Sequence, residues 1–291
     1  MHMMVSLYKY PRSQSDSEAR RPVESLRPLP SSADGALNEM LAAACDTVTW
    51  TALANREIRG RYRRTVLGPV WIVILVMVSA AAISLVYGAL LGRPFATYFV
   101  FVAASLVSWT LIANVISEAA SLLWLSGTLM KTFHVSAVTL VLANILKNLI
   151  VWAHAILPAL ICAAIVMPED FRAMMMLPVG LFLVLLNLGW IAFAIALVGT
   201  RFRDVYDLVI MLMTLAFLVT PVIWDASMLG ELSYLAEMNP LTHLLDLIRR
   251  PVLGQWPALT SFVVGGFGAA LGWPLATLLF MSSRRRLAFW V

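Results

Sequence analysis

Six stretches of the sequence, at about 69–91, 96–120, 138–167, 174–199, 208–224 and 258–281, are apolar over nearly the length a helix needs to cross a bilayer. Inside hydrocarbon every backbone N–H and C=O must be bonded within the protein, which leaves helices or closed barrels. A barrel alternates apolar and polar residues and does not raise the hydrophobic share to the 61% found here. The expectation is an all-α membrane protein with six transmembrane helices.

Charge then sets the orientation. Only 13% of the residues are charged, and 17 of these precede Thr65. The net charge of +5 in so apolar a chain reads as arginines that orient it in the membrane, and no nucleic-acid partner is expected. Six spans put both termini on one side. That side carries Arg56, Arg59, Arg61, Arg63, Arg64, Lys131, Arg201, Arg203, Arg284, Arg285 and Arg286, against Arg93, Arg172, Arg249 and Arg250 on the other. The positive-inside rule makes the first set, with both termini, cytoplasmic. Residues 1–46 are polar, with scattered Pro, Ser and Arg, and are expected to form a disordered cytoplasmic tail without a cleavable signal.

The connections carry their own signals. Asp46 is placed to cap a helix over 47–64 whose Trp50, Leu53, Ala54, Ile58 and Tyr62 share one face, opposite Arg56, Arg59 and Arg63. This predicts an amphipathic helix on the inner membrane surface; a solvated basic stop before a span is the plainer alternative. The link at 121–137 is long and moderately apolar, so a short helix is predicted there. Between spans five and six, Asn239-Pro240 is a cap followed by the residue favoured at the first helical position. Leu241, Leu244, Leu245, Ile248 and Val252 then recur at helical spacing, opposite His243, Asp246 and Arg250. Such a helix is too short to span and is expected at the outer interface or partly inserted. Thr220-Pro221 is expected to break the fifth span near its outer end.

No segment matches G-x-x-x-x-G-K-[ST], so a phosphate-cradling ATP loop is missing and no catalytic role is assigned. His134, His154 and His243 are isolated, and no metal site or bound cofactor is expected. Glu118 and Lys147 are the intramembrane charges; their spacing from the inner surface lets them meet, and a structural pair is the simplest reading. Tyr87, Tyr98, Phe99, Phe101, Trp109 and Phe217 either belong to lipid-facing belts or offer a conduit apolar rings on which sugar C–H faces slide. An ion-coupled secondary transporter or a membrane-embedded glycosyl- or acyltransferase remains an alternative; the first needs internal repeats and broken helices at mid-membrane, the second an acid cluster or a His-Asp pair.

The run Arg56-Glu57-Ile58-Arg59-Gly60-Arg61-Tyr62-Arg63-Arg64-Thr65-Val66-Leu67-Gly68-Pro69-Val70-Trp71 resembles the start of the first span in permeases of bacterial polysaccharide exporters, the ABC type 2 group. Arg201-Phe202-Arg203-Asp204, Thr220-Pro221-Val222-Ile223 and Asn239-Pro240-Leu241 agree in order and spacing, so the resemblance covers residues 47–291. It implies a homodimer of six-span subunits with two separate ATP-binding cassette ATPases, which carry ATP and Mg. It also implies export of a lipid-linked polysaccharide such as O-antigen or capsule. The link 121–137 becomes a coupling helix for the ATPase, with Gly127, Lys131, Phe133 and His134 as contacts. Arg59, Arg61, Arg63, Arg64, Arg201 and Arg203 become candidates for receiving the lipid pyrophosphate, whose paired oxygens suit the guanidinium fork. Pro221, Asn239, Pro240 and Arg249 become candidates for a periplasmic gate of re-entrant helices. One departure is visible: many members have Phe-Pro where this chain reads Phe133-His134.

Overall fold

The computed structural model describes residues 33–63, 68, 70–166 and 172–291, and they are almost wholly helical. Among the described residues, five helices are long and apolar enough to cross a membrane: α3 (Val70–Leu90), α4 (Phe95–Leu125), α6 (Ala137–Val166), α7 (Leu177–Arg201) and α11 (Leu259–Trp290). The sixth expected span is α8 (Val205–Val219), only 15 residues. At 1.5 Å per residue it is about 22 Å long, less than the roughly 30 Å of a hydrocarbon core. Its stop is local: a residue before proline is driven from helical to extended backbone, and Thr220 sits at φ −79°, ψ 136°.

The centre of the bundle is α4, packed on α3, α6, α7 and α8. Small residues let it serve that many neighbours. Ala103, Ala104, Ser105, Ser108, Ala119 and Ala120 are all buried, and the backbone of α7 comes so close at Gly199 that an added Cβ would lie 2.2 Å from the Ala120 carbonyl oxygen. By contrast α3 and α8 leave large apolar side chains uncovered, among them Trp71, Leu75, Val78, Leu212, Leu215 and Leu218.

Two helices precede the first span. α2 (Thr47–Tyr62) starts where the sequence predicts, with Asp46 Oδ1 accepting from the Thr49 amide at 3.2 Å. It rests on α6 with Ala54 buried, Leu53, Ile58 and Tyr62 half-buried and Arg56, Arg59 and Arg63 exposed. Arg64 lies outside the described residues. α1 (Ala33–Cys45) corrects the expectation of disorder up to residue 46. Ala36, Met40 and Ala43 recur at helical spacing and are buried against α6 and α11; an apolar face made mostly of alanine is weak as a hydropathy signal but adequate for close packing. Residues 1–32 of that expected tail lie outside the described residues.

The remaining helices are short. α5 (Gly127–Phe133) follows α4, whereas a 3-10 stretch (Ala226–Ser233), α9 (Tyr234–Met238) and α10 (Pro240–Val252) lie between α8 and α11. α5 and α10 thus mark opposite ends of the bundle.

Candidate functional site

At the α10 end the polar residues interlock. Asn239 Oδ1 accepts from the Leu241 amide at 3.0 Å, capping α10, while its Nδ2 donates to Thr220 Oγ1 at 2.9 Å. The cap therefore fastens α10 to the broken end of α8. Pro240 is exposed at the first turn and Pro221 is buried. Arg249 is itself buried, donates to Asp246 and to the Pro221 carbonyl, reaches Ser105 Oγ at 3.5 Å and lies 5.0 Å from the Phe101 ring centroid. Arg250 Nε donates to the second Asp246 oxygen at 3.2 Å. His243, placed by its spacing on a polar outer face, is also buried, with its ring nitrogens 3.1 Å from Ser261 Oγ and 2.7 Å from the Glu237 carbonyl. α10 is thus inserted on both faces: its Leu247 carbonyl leaves no room for a side chain at Gly180 of α7, where a Cβ would lie 2.1 Å away. Just outside, Asp225 Oδ1 accepts from the Ser227 amide at 3.0 Å and hydroxyl at 2.8 Å. Burial pushes its carboxyl up, but these bonds and the Arg93 and Arg249 charges outweigh it and hold the pKa below the ordinary aspartate value.

The aromatic candidates divide. Tyr98 is 1% exposed and donates through its hydroxyl to the Ile223 carbonyl, so it braces the chain beyond the α8 break and faces no open conduit. Trp109 is buried against Phe217, with ring centroids 5.8 Å apart. Phe99 stacks on Phe95, and Tyr87 is exposed on α3.

Between α2 and the bundle lies a second charge network. Lys147, 7% exposed, donates to Glu57 at 2.8 Å and meets Glu118 at 2.8 Å. Glu118 also accepts from Arg61 at 2.7 Å and from Asn148 at 2.8 Å. Arg61, a pyrophosphate candidate, is therefore engaged with Glu118, whereas Arg59 and Arg63 remain exposed on the same helix. The α7–α8 arginines are apart from these: the Arg201 guanidinium stacks at 5.0 Å from Phe202 and 5.4 Å from Trp290, and Arg203 at 5.6 Å from Trp124. The sequence reading missed Glu57, Asp246 and the buried role of Arg249. The spacings Glu57/Arg61 and Asp246/Arg250 at i, i+4 and Asp246/Arg249 at i, i+3 were the available signal.

At the α5 end the picture reverses. No residue of α5 is buried; Leu125 just before it and Phe133 at its end are 67% and 69% exposed. Gly127 packs on Val291, whose carbonyl accepts from Lys131, so the end of α11 props α5 from one side. His134 closes the helix in left-handed backbone at φ 53°. Proline cannot take that angle, so a Phe-Pro pair could not close the helix in this way.

Comparison with protein families matches residues 49–253 to the family described as ABC-2 type transporter. That segment runs from α2 through the last turn of α10 and so contains α5, the charge network and the Thr220-Pro221 break. No curated protein matches the chain.

Proposed function

This chain belongs to the ABC-2 type transporter family, and we propose that within it the chain is the channel-forming subunit of an exporter for lipid-linked polysaccharide of the O-antigen or capsule type. Membership makes it a multi-pass membrane component of an ABC transporter, a family of permeases that normally pairs with ATP-binding subunits. In our reading two copies and two ATPase chains assemble in the bacterial inner membrane, α8 completes six spans, and the α5 end with both termini is cytoplasmic. ATP and Mg reside on the partner. The observation that carries the coupling is α5 itself, a helix between two spans that leaves Leu125 and Phe133 uncovered in a region where arginines hold the chain at the water boundary.

Arg59 and Arg63 face outward beside the first span, where a pyrophosphate arriving in the inner leaflet meets them; Arg61 positions α2 through Glu118. At the other end the Asn239–Thr220 and Arg249–Pro221 bonds tie α10 to the α8 break, so a moving α8 would carry the gate with it. A polymer longer than the membrane cannot be enclosed in a cavity, so a continuous path at the exposed faces of α3 and α8 suits it. The mutual pairing of Lys147 with Glu57 and Glu118 speaks for a structural role and against an ion-coupling site.

Reconstitution tests the reading. Vesicles holding the chain with its ATP-binding subunit should show ATP hydrolysis stimulated by lipid-linked glycan and ATP-dependent glycan movement across the bilayer. Movement at the same rate without ATP would refute ATP-driven export, and stimulation by an unglycosylated lipid alone would refute the polysaccharide assignment.

A further inference from the structure

Between α4 and α5 there is a single residue, Ser126, whose amide donates to the Leu122 carbonyl at 3.1 Å and whose carbonyl accepts from the Met130 amide at 3.0 Å. α5 therefore leaves α4 without a linker. Trp124 stands on the last turn of α4, just before that junction, and Trp290 ends α11 next to Val291, the residue that supports α5 at Gly127 and Lys131. Two half-buried rings thus adjoin α5, one on each of its supports. Each lies under an arginine from the turn between α7 and α8: the Arg203 guanidinium is 5.6 Å from the Trp124 ring centroid, and that of Arg201 is 5.4 Å from the Trp290 centroid. The turn itself is short and bonded throughout. The Phe202 amide donates to the Val198 carbonyl at 3.0 Å, Val205 to Phe202 at 3.1 Å and Tyr206 to Arg203 at 3.1 Å, which ties the turn to α7 and α8 alike.

We propose that Arg201 and Arg203 are positioning residues which, stacked on Trp290 and Trp124, pass the displacement of α5 to α8. The proposal rests on the reading of α5 as the docking helix of an ATP-binding subunit. A guanidinium is planar and weakly hydrated, so it lies flat on an indole face where an ammonium keeps its water. At Trp124 the face is the part in use: its Nε1 is buried and has no hydrogen-bond partner among the described residues, although a buried indole N–H ordinarily finds one. Arg201 is set from two sides, 5.0 Å from the Phe202 ring centroid as well as over Trp290. The two contacts reach different elements, α4 and α11, so α5 and the turn are joined at two points and do not pivot about one. At its far end α8 is fastened to α10 through Thr220 and Asn239, which continues the path from α5 to the opposite end of the bundle. Stacking occupies the faces of the guanidinium groups and leaves their edges open. Reception of a pyrophosphate by Arg201 and Arg203 is therefore the competing role, and ring substitutions separate the two.

The test compares two pairs of substitutions in the full chain: Trp124→Leu with Trp290→Leu, which keeps apolar bulk but removes both faces, and Trp124→Phe with Trp290→Phe, which keeps a face at each site. Spin labels at Thr132 on α5 and Leu218 on α8, in a chain with Cys45 and Cys162 replaced, report the distance between the two helices in nanodiscs. A narrow distribution is expected for the parent and the Phe pair, and a broad one for the Leu pair. Trp290→Leu alone, at a half-exposed site where folding is not at stake, should broaden it partway. In vesicles with the ATP-binding subunit, the Leu pair should retain that subunit and its basal hydrolysis. Glycan moved per ATP should fall about tenfold, the combined weight of two such contacts, and the Phe pair should restore it. An unchanged narrow distribution in the Leu pair would overturn the proposal. So would full glycan movement in the Leu pair with loss only in Arg201→Lys with Arg203→Lys, which would assign the arginines to the pyrophosphate. The distance measurement needs no ATP-binding subunit, so its failure is distinct from a failure of docking at α5.

Discussion

Two short helices interrupt the spans, and the bundle treats them in opposite ways. α5 has seven residues, none buried; α10 has thirteen, of which ten are buried, including Asp246 and Arg249. A helix that is polar on one face is ordinarily left at an interface, yet α10 inserts that face too, because each inserted charge finds a partner: Asp246 accepts from Arg249 and Arg250, and Arg249 reaches the carbonyl that the Pro221 break leaves free. α5 forms no comparable lock. Lys131 and Gly127 hold it against Val291, Leu129 and Met130 pack half-buried on the core, and Phe133 stays exposed. The difference teaches that one end is locked by buried polar bonds while the other keeps an apolar side chain, Phe133, uncovered.

Breaking the α10 lock should have the largest effect on stability. Arg249→Met leaves a buried carboxylate short of its main partner and should cost about 3–5 kcal/mol, read as a fall in the unfolding midpoint in detergent. Asp246→Asn combined with Arg249→Met should recover most of it. The equivalent removal of charge on α5, Lys131→Met, should leave the midpoint unchanged.

Steric substitutions sharpen the same contrast at a lower level. Gly180→Ala drives a methyl into the Leu247 carbonyl, where neither backbone can yield easily, and should cost about 1–3 kcal/mol. Gly127→Ala meets the Val291 side chain at 2.9 Å, which can turn aside. Thermal unfolding of the two variants should separate them clearly.

A third comparison lies within the basic end. Arg59→Lys with Arg63→Lys keeps positive charge but removes the fork, so the midpoint should stay within about 0.5 kcal/mol while glycan-stimulated hydrolysis falls. Arg61→Lys should act on stability instead, through Glu118. The smallest effect concerns Asp225. Its pKa is depressed in the folded chain, so it contributes stability above the ordinary aspartate value of 3.8 that is lost as pH falls below it. Asp225→Asn should lower the melting temperature slightly at neutral pH and flatten that acid limb, so that variant and parent converge at low pH.

Much of this architecture is legible in the sequence, for reasons that differ by element. The long spans follow from apolar length, and the start of α2 from Asp46, a cap that acts locally. The Asn239-Pro240 start of α10 is equally local. What periodicity could not supply was the environment of the opposite face: the partners of His243 and Arg249, which are Ser261, Pro221 and Ser105, lie outside α10. Tyr98 misled in the same way, since an aromatic near the outer end of a span reads alike whether it faces a conduit or braces Ile223. α1 was hidden by its alanines. Exposure of α5, by contrast, was implicit in its length and position.

The central claim is that α5 is the surface on which an ATP-binding subunit docks. It is tested most directly by photo-crosslinking from Phe133 in the assembled membrane complex, with Met238 on α9 as the site at the opposite end. The account predicts that Phe133 crosslinks to the ATP-binding subunit, that Lys131→Glu abolishes this crosslink without lowering the amount of folded chain, and that Met238 gives none. Crosslinking of the ATP-binding subunit from Met238 and not from Phe133 would invert the assignment of the two ends and contradict the account.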